Sequence, residues 1–125
     1  MMQYDKTDPE RRNHTRYRVD NGVFAIDSTR FGKVLDISLG GLSFTCINPE
    51  GWTTITKDTG ILLGNDDLCL DQIPFQIASV RLLADKTAPG SMIEIRRYSL
   101  KFGEMNDNQV IKLKNYIVNN TNGVA

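Results

Sequence analysis

The sequence predicts an all-β fold in the main: six or seven short antiparallel strands forming a barrel or curled sheet, with one C-terminal α-helix packed across an opening. Three observations predict it. Apolar runs alternate with period two and are separated by Gly, Pro, Asn and Asp turns. Only one stretch, near the C-terminus, carries its apolar residues at helical spacing. The 125 residues, 40% of them hydrophobic, suit one domain around one core. A domain of this size buries roughly two-thirds of its unfolded surface without help from a disulfide or metal.

Residues 1–10 are polar, contain Pro9 and show no period, so they read as a flexible N-terminal tail. Val19 to Asp27 reads as the first strand, with Phe24 and Ile26 on one face and Val23, Ala25 and Asp27 on the other. Ser28-Thr29-Arg30 ends it. Phe31 to Ser38 alternates again, setting Leu35 and Ile37 on one face and Val34, Asp36 and Ser38 on the opposite one. Leu39-Gly40-Gly41 is a turn in which paired glycines can take positive φ, and Leu42, Phe44 and Cys46 of the next strand point inward.

Pro49 and Gly51 break the order after that strand, Trp52 covers one end of the core, and Thr53 to Thr56 reads as a short edge strand. Gly60 to Leu63 and Phe75 to Leu83 are two further strands, separated by a solvated acidic loop with Asp66, Asp67 and Asp71 and by Pro74. Ala88-Pro89-Gly90 turns the chain into a last strand, Met92 to Phe102. There Ile93 and Ile95 occupy odd positions while Tyr98, Leu100 and Phe102 occupy even ones, so a bulge is expected near Arg96-Arg97. Asn106 or Asp107 caps a helix over 106–118, whose Val110, Leu113 and Ile117, with Ile111 and Tyr116, form the apolar face. The folded domain is thus expected over 11–118, with 119–125 frayed.

Composition excludes several functions. Fifteen basic residues balance fifteen acidic ones, and the isoelectric point near 6.6 is not that of a protein built to coat nucleic acid. Cys46 and Cys69 make no CxxC pair and His14 is the lone histidine, so zinc spacing and dithiol chemistry are missing, and two thiols suit a reducing cytoplasm. No apolar run approaches the ~18 residues of a membrane span. No GxSxG, P-loop or GxGxxG occurs, so no nucleophile elbow or phosphate cradle is present and the chain is expected to be a binding protein, with no enzymatic activity and no cofactor.

The charge is unevenly placed. Glu10 to Arg18 carries four arginines, Arg11, Arg12, Arg16 and Arg18, and no lysine; planar guanidinium groups suit forked recognition of phosphates and base edges. Within it stands Arg12-x-x-x-Arg16, followed by Asp36-x-Ser38-x-x-Gly41. With eight arginines in the chain, the first pattern arises by chance roughly half a time per sequence, but the second only about 0.1 times. Taken singly, each also fits a plainer account: a solvated basic tail, the wet face of a strand, a hairpin.

In this order the pair resembles the signature of the PilZ family, small bacterial barrels that bind cyclic di-GMP. The ending Tyr98 to Gly103 followed by a helix is similar too. The resemblance implies a PilZ-type barrel and a cytoplasmic, stand-alone receptor or adaptor for that ligand, acting on a protein effector in motility or biofilm control. It implies that Arg12 and Arg16 grip the guanine Hoogsteen edge and the phosphates, that Asp36 accepts from the Watson–Crick edge, that Ser38 adds a hydroxyl contact, and that Gly41 lets the ligand approach the turn. Arg11, just ahead of the motif, implies room for an intercalated ligand dimer. Because the arginines precede the first strand, ligand is expected to order a mobile N-terminal segment. Two other readings stand beside this one: a PilZ-like interaction module that binds no nucleotide, and a small barrel for single-stranded nucleic acid, which would need a basic groove with exposed aromatics.

Overall fold

The computed structural model describes residues 14–65, 67–88 and 91–125. In chain order it contains β1 (Tyr17–Val19), β2 (Val23–Ala25), β3 (Phe31–Ile37), β4 (Gly41–Ile47), a 3-10 turn (Glu50–Trp52), β5 (Lys57–Gly64), β6 (Asp67–Ala88), β7 (Ser91–Phe102), α1 (Asp107–Asn120) and β8 (Thr121–Val124). All pairings are antiparallel. The hydrogen-bonded order β2-β5-β6-β7-β4-β3 closes on itself through β2–β3, giving a six-stranded barrel, and β1 and β8 extend it from β3. The predicted all-β barrel with one C-terminal helix is the observed fold.

The stretch expected as one strand, Val19 to Asp27, is two. Asp20-Asn21-Gly22 makes a corner, and β3 uses one edge for both pieces: β2 pairs with Phe31, Gly32 and Lys33, and β1 with Asp36 and Ile37. A second departure decides where the polar residues go. Val34 pairs with Phe44 and Asp36 with Ser43, leaving Leu35 as the extra residue of a bulge. Val34 and Ile37 therefore both enter the core, and Asp36 turns to the outer face beside Ser43.

The expected bulge at Arg96-Arg97 lies across the ladder instead. β4 and β7 pair without interruption from Ile47↔Ile95 to Gly41↔Lys101, while Leu82↔Arg96 and Ala84↔Ile95 leave Leu83 of β6 as the extra residue. On β7, Tyr98, Leu100 and Phe102 face the core, and Arg97, Ser99 and Lys101 face outward. Asp67 and Asp71 lie within β6 rather than in a loop, because β5 and β6 are joined tightly at Asn65. Asp66, Pro89 and Gly90 lie outside the described residues. Thr53 to Thr56 follows the 3-10 turn and forms no strand.

The barrel is filled by Phe24, Phe44, Trp52, Phe75 and Tyr98, with Phe44 and Tyr98 stacked at 5.3 Å and 8°. The helix begins at an Asn106–Gln109 capping box, with Gln109 N donating to Asn106 Oδ1 at 2.8 Å. It buries Leu113, Tyr116 and Ile117; Ile111, expected on this face, is exposed. Residues 119–125 were expected to fray, but Asn120 completes the helix and Thr121–Val124 pairs with β1. This pairing satisfies the outer edge of a three-residue strand that is too short to stand alone.

Candidate functional site

Arg16 precedes β1 by one residue, and β1 pairs with β3 so that Arg18 is opposite Asp36. Arg16 is thus a diagonal neighbour of Asp36, and its Nη1 donates to Asp36 Oδ1 at 2.7 Å. The other carboxylate oxygen is taken from the far side: Arg97 Nη2 donates to Asp36 Oδ2 at 3.0 Å and to Ser43 Oγ at 3.1 Å. The Asp36 side chain is 10% exposed against 25% for Arg16 and 33% for Arg97. One carboxylate therefore sits between two guanidinium groups and leaves a local excess of positive charge. Nε and Nη2 of Arg16, and Nε and Nη1 of Arg97, have no partner among the described residues.

Ser38 shapes the adjoining turn. Its N–H donates to Gly41 O at 2.8 Å, and its Oγ accepts from Gly40 N at 3.1 Å. Neither Gly40 nor Gly41 has positive φ, contrary to the turn geometry expected. Close approach explains them instead. A Cβ on Gly41 would lie 2.1 Å from the carbonyl oxygen of Leu100, and one on Gly40 would lie 2.8 Å from Cδ2 of His14. The β3–β4 turn is pressed against β7 on one side and roofed by His14 on the other.

These parts enclose an outer groove of about 570 Å³, lined by His14, Arg16, the turn Ser38–Gly41, and Ser99 to Gly103 beside Ala78. Arg16, Ser38 and Gly41 of the expected site line it directly, and Asp36 lies behind them holding Arg16. Arg11 and Arg12 fall outside the described residues. Sequence reading missed Arg97, Ser43 and Lys101. The alternation of β7 could have found Arg97, since it shares a face with Ser99 and Lys101 and opposes the buried Tyr98. Chemically, the groove offers the Arg16 guanidinium and the Lys101 ammonium with no carboxylate in its lining, a setting for an anion or for forked acceptors on a planar base. Among the described residues no group of three His, Cys, Asp or Glu could hold a metal ion. No described helix is long and apolar enough to cross a membrane.

No family model and no curated protein matches the sequence. Solved structures do. The PilZ domain of Escherichia coli YcgR, determined with c-di-GMP, superposes with a TM-score of 0.63 at 15% identity, covering 86% of this chain and 89% of that one. The fold is that of the PilZ domain. MrkH of K. pneumoniae, solved as a c-di-GMP complex, gives a TM-score of 0.61 at 13% identity over 86% of this chain. Its ligand-free form gives 0.59 at 14% identity over 91%. The chain spans about half the length of MrkH, 51% and 49% in the two forms, so the PilZ barrel is the shared part. At such identities the likeness is one of architecture, and the groove of this PilZ barrel must be judged on its own residues.

Proposed function

We propose that this PilZ barrel is a receptor for cyclic di-GMP that reports occupancy to a protein partner. One observation carries the reading: Arg16, from the first half of the motif, donates to Asp36 of the second at 2.7 Å, and Arg16, Ser38 and Gly41 line one groove. Two scattered coincidences of sequence would have no reason to converge. The ligand brings two phosphates and two guanines, whose O6 and N7 acceptors suit the unspent donors of Arg16 and those of Arg12. Arg11 supplies a further guanidinium for a second, intercalated ligand. YcgR and MrkH, determined with c-di-GMP, support the ligand class through the shared fold.

The expected ordering of the N-terminal segment concerns residues that, up to position 13, lie outside the described ones. Arg16 is already held by its carboxylate partner and by Ala125, whose N–H donates to Arg16 O at 2.9 Å. Arg11 and Arg12 are among them, and their engagement with the ligand is expected to change the surface a partner meets. Isothermal titration with cyclic di-GMP, with cyclic di-AMP and GMP as controls, tests the reading. Saturable binding at about micromolar Kd or tighter that rejects cyclic di-AMP is the expected result. Silence from folded protein would leave a nucleotide-independent interaction module. Binding of any single-stranded oligonucleotide, falling steeply with salt, would instead make the barrel a nucleic-acid binder.

A further inference from the structure

Asp36 has two arginine partners of different kinds. Arg97 stands in the middle of β7, with Thr45 of β4 on one side and Arg81 of β6 on the other. One of its nitrogens is shared between Asp36 Oδ2 and Ser43 Oγ, so two acceptors on two strands fix its guanidinium. Arg16 stands ahead of a three-residue strand, makes one bond to Asp36, and lines the groove, which Arg97 does not. We propose that Arg97 is the permanent partner of Asp36 and Arg16 the exchangeable one, so that Arg97 acts as a positioning residue for ligand capture. This rests on the receptor reading above.

The physical need is plain. An arginine that turns toward a ligand phosphate must loosen its grip on its carboxylate, and a nearly buried carboxylate left unpaired is costly. Arg97 removes that cost. It keeps Asp36 paired and in one rotamer whichever way Arg16 points, and Ser43 keeps Arg97 itself from following. Arg16 then exchanges one charged partner for another without stranding a buried charge. The donors Arg97 has left over lie on the outer face with Ser99 and Lys101.

The test is a double-mutant cycle on the full chain, titrating cyclic di-GMP into the parent, Arg97→Gln, Asp36→Asn and the double variant. Arg97→Gln should weaken binding about tenfold with its melting transition retained, and the double variant should bind no more weakly than Asp36→Asn alone. Arg97→Lys, which keeps charge but loses the fork, should rescue little. An unchanged affinity in Arg97→Gln, or losses that simply add, would overturn the proposal. A second measurement needs no ligand: in free protein, guanidinium NMR should show restrained rotation for Arg97 that survives Arg16→Ala. Loss of that restraint in the variant would overturn it as well. A parent protein that ignores cyclic di-GMP would defeat the receptor reading, and the NMR result would still decide the role of Arg97.

Discussion

Arg16 and Asp36, twenty positions apart, meet at 2.7 Å because one short strand lies along the second half of β3. That contact converts a local sequence motif into a three-dimensional one. It depends on the corner at Asp20-Asn21-Gly22, which directs β1 to the Asp36 end of β3 and β2 to the Phe31 end. It depends equally on the bulge at Leu35, which rotates Asp36 out of the core while keeping Val34 and Ile37 in it. Without the bulge the carboxylate would face the core, and without the corner it would lose Arg16 and keep only Arg97.

Arg16→Ala should therefore do two things. Ligand affinity should fall by about 2–3 kcal/mol, as charged hydrogen bonds are lost. Folding stability should fall too, by about 1 kcal/mol, because Asp36 keeps only Arg97. Arg12→Ala should lose affinity alone. Titration calorimetry beside urea unfolding separates the two effects, and equal stability losses in both variants would contradict the pairing seen here.

The strands and the helix were legible because alternation and 3.6-residue spacing are local signals. The candidate groove was legible in part: Arg16, Ser38 and Gly41 were marked by spacing, and the structure brings them together. Arg97 was not, since its role comes from cross-strand register with Thr45 and from the bulge at Leu35, neither of which leaves a mark in a short window. The C-terminal strand was missed for a related reason. Thr121-Asn122-Gly123-Val124 is only four residues long, has the strand-depleted Asn122 and Gly123 at its centre, and is ordered by the open edge of β1.

That strand leads to a prediction at a distance from the groove. Ala125 N–H bonds to Arg16 O at 2.9 Å, and β8 pairs with both ends of β1. Removing residues 121–125 should free β1, increase amide exchange at Tyr17 and Val19, and weaken ligand binding several-fold while leaving the barrel folded. Hydrogen exchange read by NMR checks this. Unchanged protection at Tyr17 and Val19 would show that β3 alone suffices.

Cys46 offers a pH test of the core. Burial, opposed weakly by Arg96, pushes its thiol from 9.0 to about 11. The folded state thus prefers the protonated thiol. Its contribution to stability is complete below about pH 9 and is lost as pH rises toward 11, where the unfolded chain ionises first. Alkylation of the Cys46 peptide at pH 8 should be at least ~100-fold slower in native than in denatured protein, since the thiolate fraction alone falls by that factor. Mass spectrometry resolves this peptide from that of Cys69. Similar rates in the two states would place Cys46 outside the core.

Gly41→Ala separates packing from recognition. The added methyl would stand 2.1 Å from the Leu100 carbonyl oxygen and 3.1 Å from its carbon, and both are backbone atoms of the paired strand. They cannot swing aside, so β4 and β7 must part where Gly41 opposes Lys101. About 3 kcal/mol of stability should go, lowering Tm by about 10 °C. Gly40→Ala meets only the exposed ring of His14, at 2.8 Å, which can rotate away, so its stability should stay within about 0.5 kcal/mol of the parent. Differential scanning calorimetry of the two variants decides the matter. If Gly41→Ala melts with the parent yet loses ligand, the glycine serves the ligand's approach alone; if it melts early, the motif glycine is first a requirement of the barrel.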